Sequence, residues 1–229
     1  MIQNIKKLLV IAAHPDDEIL GCGATVARLS KEGWKAETVI LGQGLVSRGD
    51  KNDAGKLENQ LDQLKEASRK ANSIIGVKKV HFADFPDNRF DSTDLLDIVK
   101  FIEPLILEIE PSLILTHFSE DLNIDHRCTF EAVITATRPQ PGCRVKEILS
   151  FEVPSSTEWR YPQRFSPSVF FDVSSSLEHK LKALESYETE MRQFPHPRSL
   201  EAVTHLARWR GAQAGLNAAE AFISVREII

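Results

Sequence analysis

His14 and Asp17 stand three residues apart in the stretch Ala13-His14-Pro15-Asp16-Asp17-Glu18. At that spacing a tight turn can aim an imidazole nitrogen and a carboxylate oxygen at one ion. Asp16 lies between them and cannot easily point the same way, which leaves it free to act as a base on a water at the ion. The plainer alternative is that Asp16 and Asp17 only cap a helix, with Glu18 a favourable first-turn charge. A second cluster of the same chemical type, Asp121-Leu122-Asn123-Ile124-Asp125-His126-Arg127, comes much later in the chain. His126 completes a set of two histidines and one carboxylate, a common catalytic zinc arrangement whose fourth position stays open for water. Asp125 is suited to orient His126 or a neighbour. Alone, a histidine at a helix start is ordinarily a solvated residue or a cap. Two clusters at matching positions favour the metal.

The elements that must position these residues follow from hydrophobic periodicity. Leu8-Leu9-Val10-Ile11-Ala12 is a short apolar run ending at proline and acids, the pattern of a buried parallel strand. Helical spacing of Ile19, Leu20, Val26 and Leu29 follows. Further strands are expected at 35–41, 77–82, 112–115 and 145–153, an edge strand at 168–173 and a short final strand at 221–226. Helices are expected at 57–75, closed by Gly76, and at 95–109, 125–137, 174–191 and 200–216. Residues 47–56 and 154–167 read as loops. Strands alternating with helices predict an α/β fold: one domain over 1–229, a Rossmann-like three-layer sandwich with a mostly parallel sheet. Both clusters then fall on the carboxyl edge of the sheet, where open α/β sheets bind ligands.

Composition narrows the function classes. The chain has 229 residues, 42% of them hydrophobic and 27% charged, enough for one sizeable core. A net charge of −5 argues against a general nucleic-acid binder. No stretch approaches the ~20 apolar residues of a transmembrane helix. Lys6 and Lys7 before the first apolar run imitate a signal peptide, but the run is too short and His14-Pro15-Asp16 is no cleavage site. Cys22, Cys128 and Cys143 show no paired spacing, so neither a disulfide framework nor a thiolate zinc site is expected, and reduced thiols in the cytoplasm are the default. Cys22 and Cys128 flank the two clusters without a base partner and read as small buried residues. A homo-oligomer is compatible with all of this.

With its hexapeptide at 13–18, the glycine-rich Gly21-Cys22-Gly23, the later Asp121 to His126 and the closing Pro195-His196-Pro197-Arg198-Ser199, the chain resembles the LmbE-like, or PIG-L, family of metal-dependent N-deacetylases. The resemblance covers nearly the whole chain in element order. It implies metal ligation by His14, Asp17 and His126, with Asp16 as the general base. It also implies a zinc ion, with ferrous iron as the alternative, and a small-molecule N-acetyl amino sugar or sugar conjugate as substrate. One position departs from the pattern. Several members carry a histidine three residues before the last ligand, where this chain has Asn123, an amide that can donate a hydrogen bond but no proton. His196 is the candidate for the missing imidazole, and Asp125 a further orienting partner.

On the substrate side, Gly44 closes the second strand in Gly42-Gln43-Gly44, where its backbone can approach a ligand. Arg48, Arg89, Arg160 and Arg198 stand in loops that could border the pocket and suit a phosphate or nucleotide tail. Trp159 and Tyr161 could stack on a sugar ring or equally anchor their loop. Two other readings stay open: a metal-dependent hydrolase of another amide, and a non-enzymatic Rossmann-type nucleotide-binding module. The module is disfavoured, because Gly21-Cys22-Gly23 lacks the third glycine of the dinucleotide fingerprint and carboxylates before a phosphate loop repel the ligand.

Overall fold

The structure, a computed structural model, describes residues 6–44 and 54–229, with the side chains of 54–57 excepted. The elements run β1 (Lys7–Ala12), α1 (Asp17–Lys31), β2 (Lys35–Gly42), α2 (Ala54–Ile74), β3 (Lys79–Phe85), α3 (Leu95–Ile109), β4 (Leu113–His117), α4 (Ile124–Ala136), β5 (Glu147–Phe151), β6 (Val169–Asp172), α5 (Leu177–Leu184), α6 (Leu200–Ala214) and β7 (Ala219–Glu227). They form one seven-stranded sheet in the order β3-β2-β1-β4-β5-β7-β6. The first five strands are parallel; β7 runs antiparallel to both β5 and β6. The expected mostly parallel α/β sandwich is therefore what forms, with β6 at the edge.

The unbroken apolar run of β1 has a simple cause. Leu8 and Val10 pack into the core under α1, α2 and α5, while Leu9 and Ile11 pack on the opposite face with Ile98 and Ile102 of α3 and Val133 of α4. A central strand covered on both faces has no side for polar residues. Strand order reverses between β1 and β4, so their carboxyl ends part and leave a crevice at this switch point.

Several expected bounds shift, β3 among them, which runs Lys79–Phe85 rather than 77–82. Helix α2 starts at Ala54 rather than 57, and the 145–153 strand shortens to Glu147–Phe151. The helix expected over 174–191 ends at Leu184, and the chain then turns so that Tyr187 is buried against the core. No glycine or proline marks that stop; the packing of Tyr187 overrides local preference. Among the described residues no helix is long and apolar enough to cross a membrane.

The glycines of α1 serve packing. A Cβ on Gly21 would lie 2.2 Å from Cδ2 of Phe151, on β5. Gly21→Ala is expected to destabilise the protein by about 1–3 kcal/mol, read as a lowered thermal midpoint; an unchanged midpoint would mean α1 does not seat on Phe151 this closely.

Candidate active site

The turn leaving β1 delivers His14 and the acids into the crevice. Asp16 takes φ 94° and ψ −30°, a strained conformation for a residue with a side chain. Its carboxylate does not cap α1; Oδ2 instead accepts from Arg198 Nη1 at 2.8 Å. Asp17 also does other work than capping. Its Oδ2 accepts the His14 backbone N–H at 2.9 Å and lies 3.2 Å from His14 Nδ1 and 3.2 Å from His126 Nε2.

His14, Asp17 and His126 thus meet, with ligating atoms within 4.8 Å of one another. A tetrahedral ion with bonds near 2.0–2.1 Å spaces its ligand atoms about 3.3–3.4 Å apart, close to the two 3.2 Å separations around Asp17 Oδ2. Buried Asp17 Oδ1 and both ring nitrogens of His126 make no hydrogen bond of good geometry among the described residues, an arrangement proteins avoid unless something else satisfies the atoms. The nitrogen and oxygen donors, their spacing and these orphaned atoms fit a divalent ion such as zinc.

The electrostatics agree. Burial alone would strip the proton from His14, yet hydrogen bonds to Asp125 and Asp17 outweigh it and carry the imidazole up to about 10. Burial also works against charge on His126, but Asp17 and Asp121 raise it to about 9. Burial disfavours the Asp17 carboxylate too, and the facing His126 holds it well below the usual range nonetheless. The cluster is built to surround positive charge.

Carboxylates face the outer nitrogens of the rings. His14 Nε2 lies 2.9 Å from Asp125 Oδ2 and 3.2 Å from Asp87 Oδ1. Asp125 is itself fixed by the backbone N–H groups of Asn88, at 2.6 Å, and Phe90, at 2.9 Å. The expected orienting role of Asp125 therefore falls on His14, because its carboxylate faces the β3–α3 loop. His126 has Asp121 instead, 3.1 Å from its Nδ1. Asp121 also accepts from the Ser156 and Thr157 hydroxyls and from the Asn123 N–H, and His126 outweighs the effect of its burial to hold it down at about 2.

Sequence reasoning missed Asp87, the part played by Asp121, and Glu18. The signal for the first two was available: both follow strands on the carboxyl edge. Glu18 does more than supply a first-turn charge. It is buried and accepts from Tyr187 Oη at 2.5 Å, Asn72 Nδ2 at 2.8 Å and the Asp16 N–H at 3.0 Å, and burial pushes it up to about 7.

A cavity of about 280 Å³ opens above the cluster, bounded by His14, Asp16, Gly44, Asn123, Trp159, His196 and Arg198 among others. Gly44 has φ +81°, and a Cβ there would stand 2.9 Å from Pro15 Cδ, so only glycine fits. Asn123 caps α4, accepting from the Asp125 N–H at 2.8 Å, and its Nδ2 donates to Asn88 Oδ1 at 3.3 Å. His196 accepts the Arg198 N–H on Nδ1 at 3.1 Å, with its ring edge-on to Trp159. Burial, then Arg198 and Arg192, lower its pKa, so the ring is neutral with its proton on Nε2.

Arg198 is less a free cation than expected. Besides Asp16 it binds Ser155 Oγ through Nε at 2.7 Å and lies 3.5 Å from Glu190. Burial drives the Asp16 carboxyl well above its usual range even against Arg198. Arg89 and Arg160 are exposed and do not border the cavity, and neither does the exposed Tyr161. The Arg89 side chain belongs to a turn whose backbone, not its guanidinium, addresses the site. Arg48 lies outside the described residues. Cys22 is buried, and burial raises its thiol, as it does that of half-buried Cys128.

Comparison with known proteins agrees with this geometry. The sequence model of the family described as PIG-L, GlcNAc-PI de-N-acetylase, matches residues 9–137. Diacetylchitobiose deacetylase of Thermococcus kodakarensis is 31% identical over 199 residues, 84% of this chain and 72% of that protein. Among solved structures, N,N'-diacetylchitobiose deacetylase from Pyrococcus horikoshii superposes with a TM-score of 0.78 at 18% identity, over 98% of this chain and 85% of that one. GalB, the 4-carboxy-2-hydroxymuconate hydratase of Pseudomonas putida, reaches the same TM-score at 22% identity, over 98% of each chain. The fold alone therefore does not select the reaction.

Proposed function

Because the chain belongs to the PIG-L family of de-N-acetylases, we propose that it is a zinc-dependent hydrolase removing the N-acetyl group from an N-acetylglucosamine-containing sugar or sugar conjugate. The observation that carries this reading is one carboxylate oxygen, Asp17 Oδ2, at 3.2 Å from an imidazole nitrogen of both His14 and His126, with Asp16 next in sequence at the wall of the cavity. His14, Asp17 and His126 would hold the ion. When bound, it lowers the pKa of a water towards ~7 and stabilises negative charge on the acetamide oxygen.

The remaining steps belong to the chain's own groups. Asp16 accepts the proton of the attacking water and returns it to the departing amine nitrogen. Arg198 holds that carboxylate in place from one side. Neutral His196 donates Nε2–H to the acetamide oxygen, the part for which Asn123, committed to its cap, is poorly placed. Half-exposed Trp159 offers an apolar face to a pyranose ring. The N-acetylglucosamine unit is common to the family's description and to the Thermococcus kodakarensis relative. Three unpaired cysteines support a reducing compartment, the cytoplasm, and one sheet through the described residues supports a single domain.

The test is acetate release from diacetylchitobiose and from nucleotide- and inositol-linked N-acetylglucosamine. A chelator is expected to abolish release, and zinc or ferrous iron to restore it. Release that persists after chelation, or none on any of these amides, would refute the reading.

A further inference from the structure

His117, the last residue of β4, has no part in the chemistry above, yet it touches both halves of the ligand cluster. It is wholly buried. Its Nε2 accepts the Ala13 N–H at 2.8 Å, and its ring stacks on His126 with centroids 3.9 Å apart and planes inclined by 22°. Nε2 also lies 3.6 Å from Asp17 Oδ2. Because Nε2 accepts an N–H, the ring's proton sits on Nδ1.

Backbone accounting shows why a hydrogen-bond acceptor stands here. The β1–β4 ladder ends at the pair Ile11 and Thr116. Beyond it the two strands part, which opens the crevice but leaves the Ala13 N–H without a carbonyl from β4. A buried N–H without an acceptor is costly. The side chain of His117 replaces the missing carbonyl, while the Ala13 carbonyl is taken by the Gly42 N–H at 2.7 Å. Held from both sides, the Ala13 peptide directs the chain into His14. The ring is in turn fixed by Phe151, edge-on at 4.9 Å, and its backbone carbonyl by Ser150 Oγ at 2.7 Å.

We propose that His117 is a positioning residue for the metal site: by accepting from Ala13 and stacking on His126 it preorganises His14 and His126 around one ion. This rests on reading His14, Asp17 and His126 as the ligands. Its loss acts on metal affinity, the usual outcome when support behind a ligand is removed.

The experiment is competition of the full-length protein with a chromophoric chelator for zinc, alongside thermal melting of the metal-free protein. The variants are His117→Gln, whose amide oxygen reaches the position of Nε2, and His117→Asn and His117→Leu, which cannot offer an acceptor there. Asn and Leu are expected to weaken zinc binding by about 10- to 100-fold, with Gln recovering most of the loss. Equal affinity in all three variants, or Gln no better than Leu, would overturn the proposal. So would Gln folding while neither Asn nor Leu folds, since His117 would then serve the core alone. Wild-type protein that binds no zinc overturns the functional reading itself, and that control separates the two failures.

Discussion

Asp16→Asn is expected to cut acetate release by about 10²- to 10⁴-fold while zinc content stays at the wild-type level. The substitution keeps the size of the side chain and an oxygen for Arg198 Nη1, whose bond to Asp16 Oδ2 is 2.8 Å. It removes only the capacity to take a proton. Asp16 is not in the group formed by His14, Asp17 and His126, so the ion should not notice its loss. Metal analysis and steady-state kinetics on the same preparation decide the matter. Loss of zinc would move Asp16 into the ligand set.

Asp17→Ala should have the opposite signature: zinc content falls towards zero and deacetylation falls below detection. One carboxylate oxygen faces His14 Nδ1, His126 Nε2 and the His14 backbone N–H, and no neighbour replaces it. The metal-free variant should also lose stability in urea denaturation, by about 3–5 kcal/mol, the usual cost of removing one partner from a buried ion pair. A variant that still held zinc would move the site to the other side of His14, where Asp87 and Asp125 form a second candidate group.

The sequence made the local parts of this site legible. A two-faced apolar run, a proline and three acids describe β1 and its turn, because strand burial and the spacing of His14 and Asp17 are short-range properties. His126 came from topology: in a parallel sheet every strand-to-helix turn lands on one edge. What stayed hidden depends on side chains meeting across long separations. Nothing local says that Asp125 faces His14 while Asp121 serves His126, since each carboxylate could rotate towards either ring. Glu18 reads from the sequence as a favourable first-turn charge, whereas Tyr187 and Asn72 close over it. Arg198 looked like a substrate clamp because its partner lies at the other end of the chain. The helix that stops at Leu184 belongs to the same class, since burial of Tyr187 decides where it ends.

Strand β7 lies between β5 and β6, and β6 has no other neighbour in the sheet. During synthesis the ribosome therefore releases Phe170 and Phe171 well before β7, the strand that pairs with them. Arg198 is made in that interval, on the segment leading into α6. Pairing of β6 into the sheet must wait for residues 219–227. A truncation there would remove no dispensable tail; it would leave β6 without its partner in the sheet.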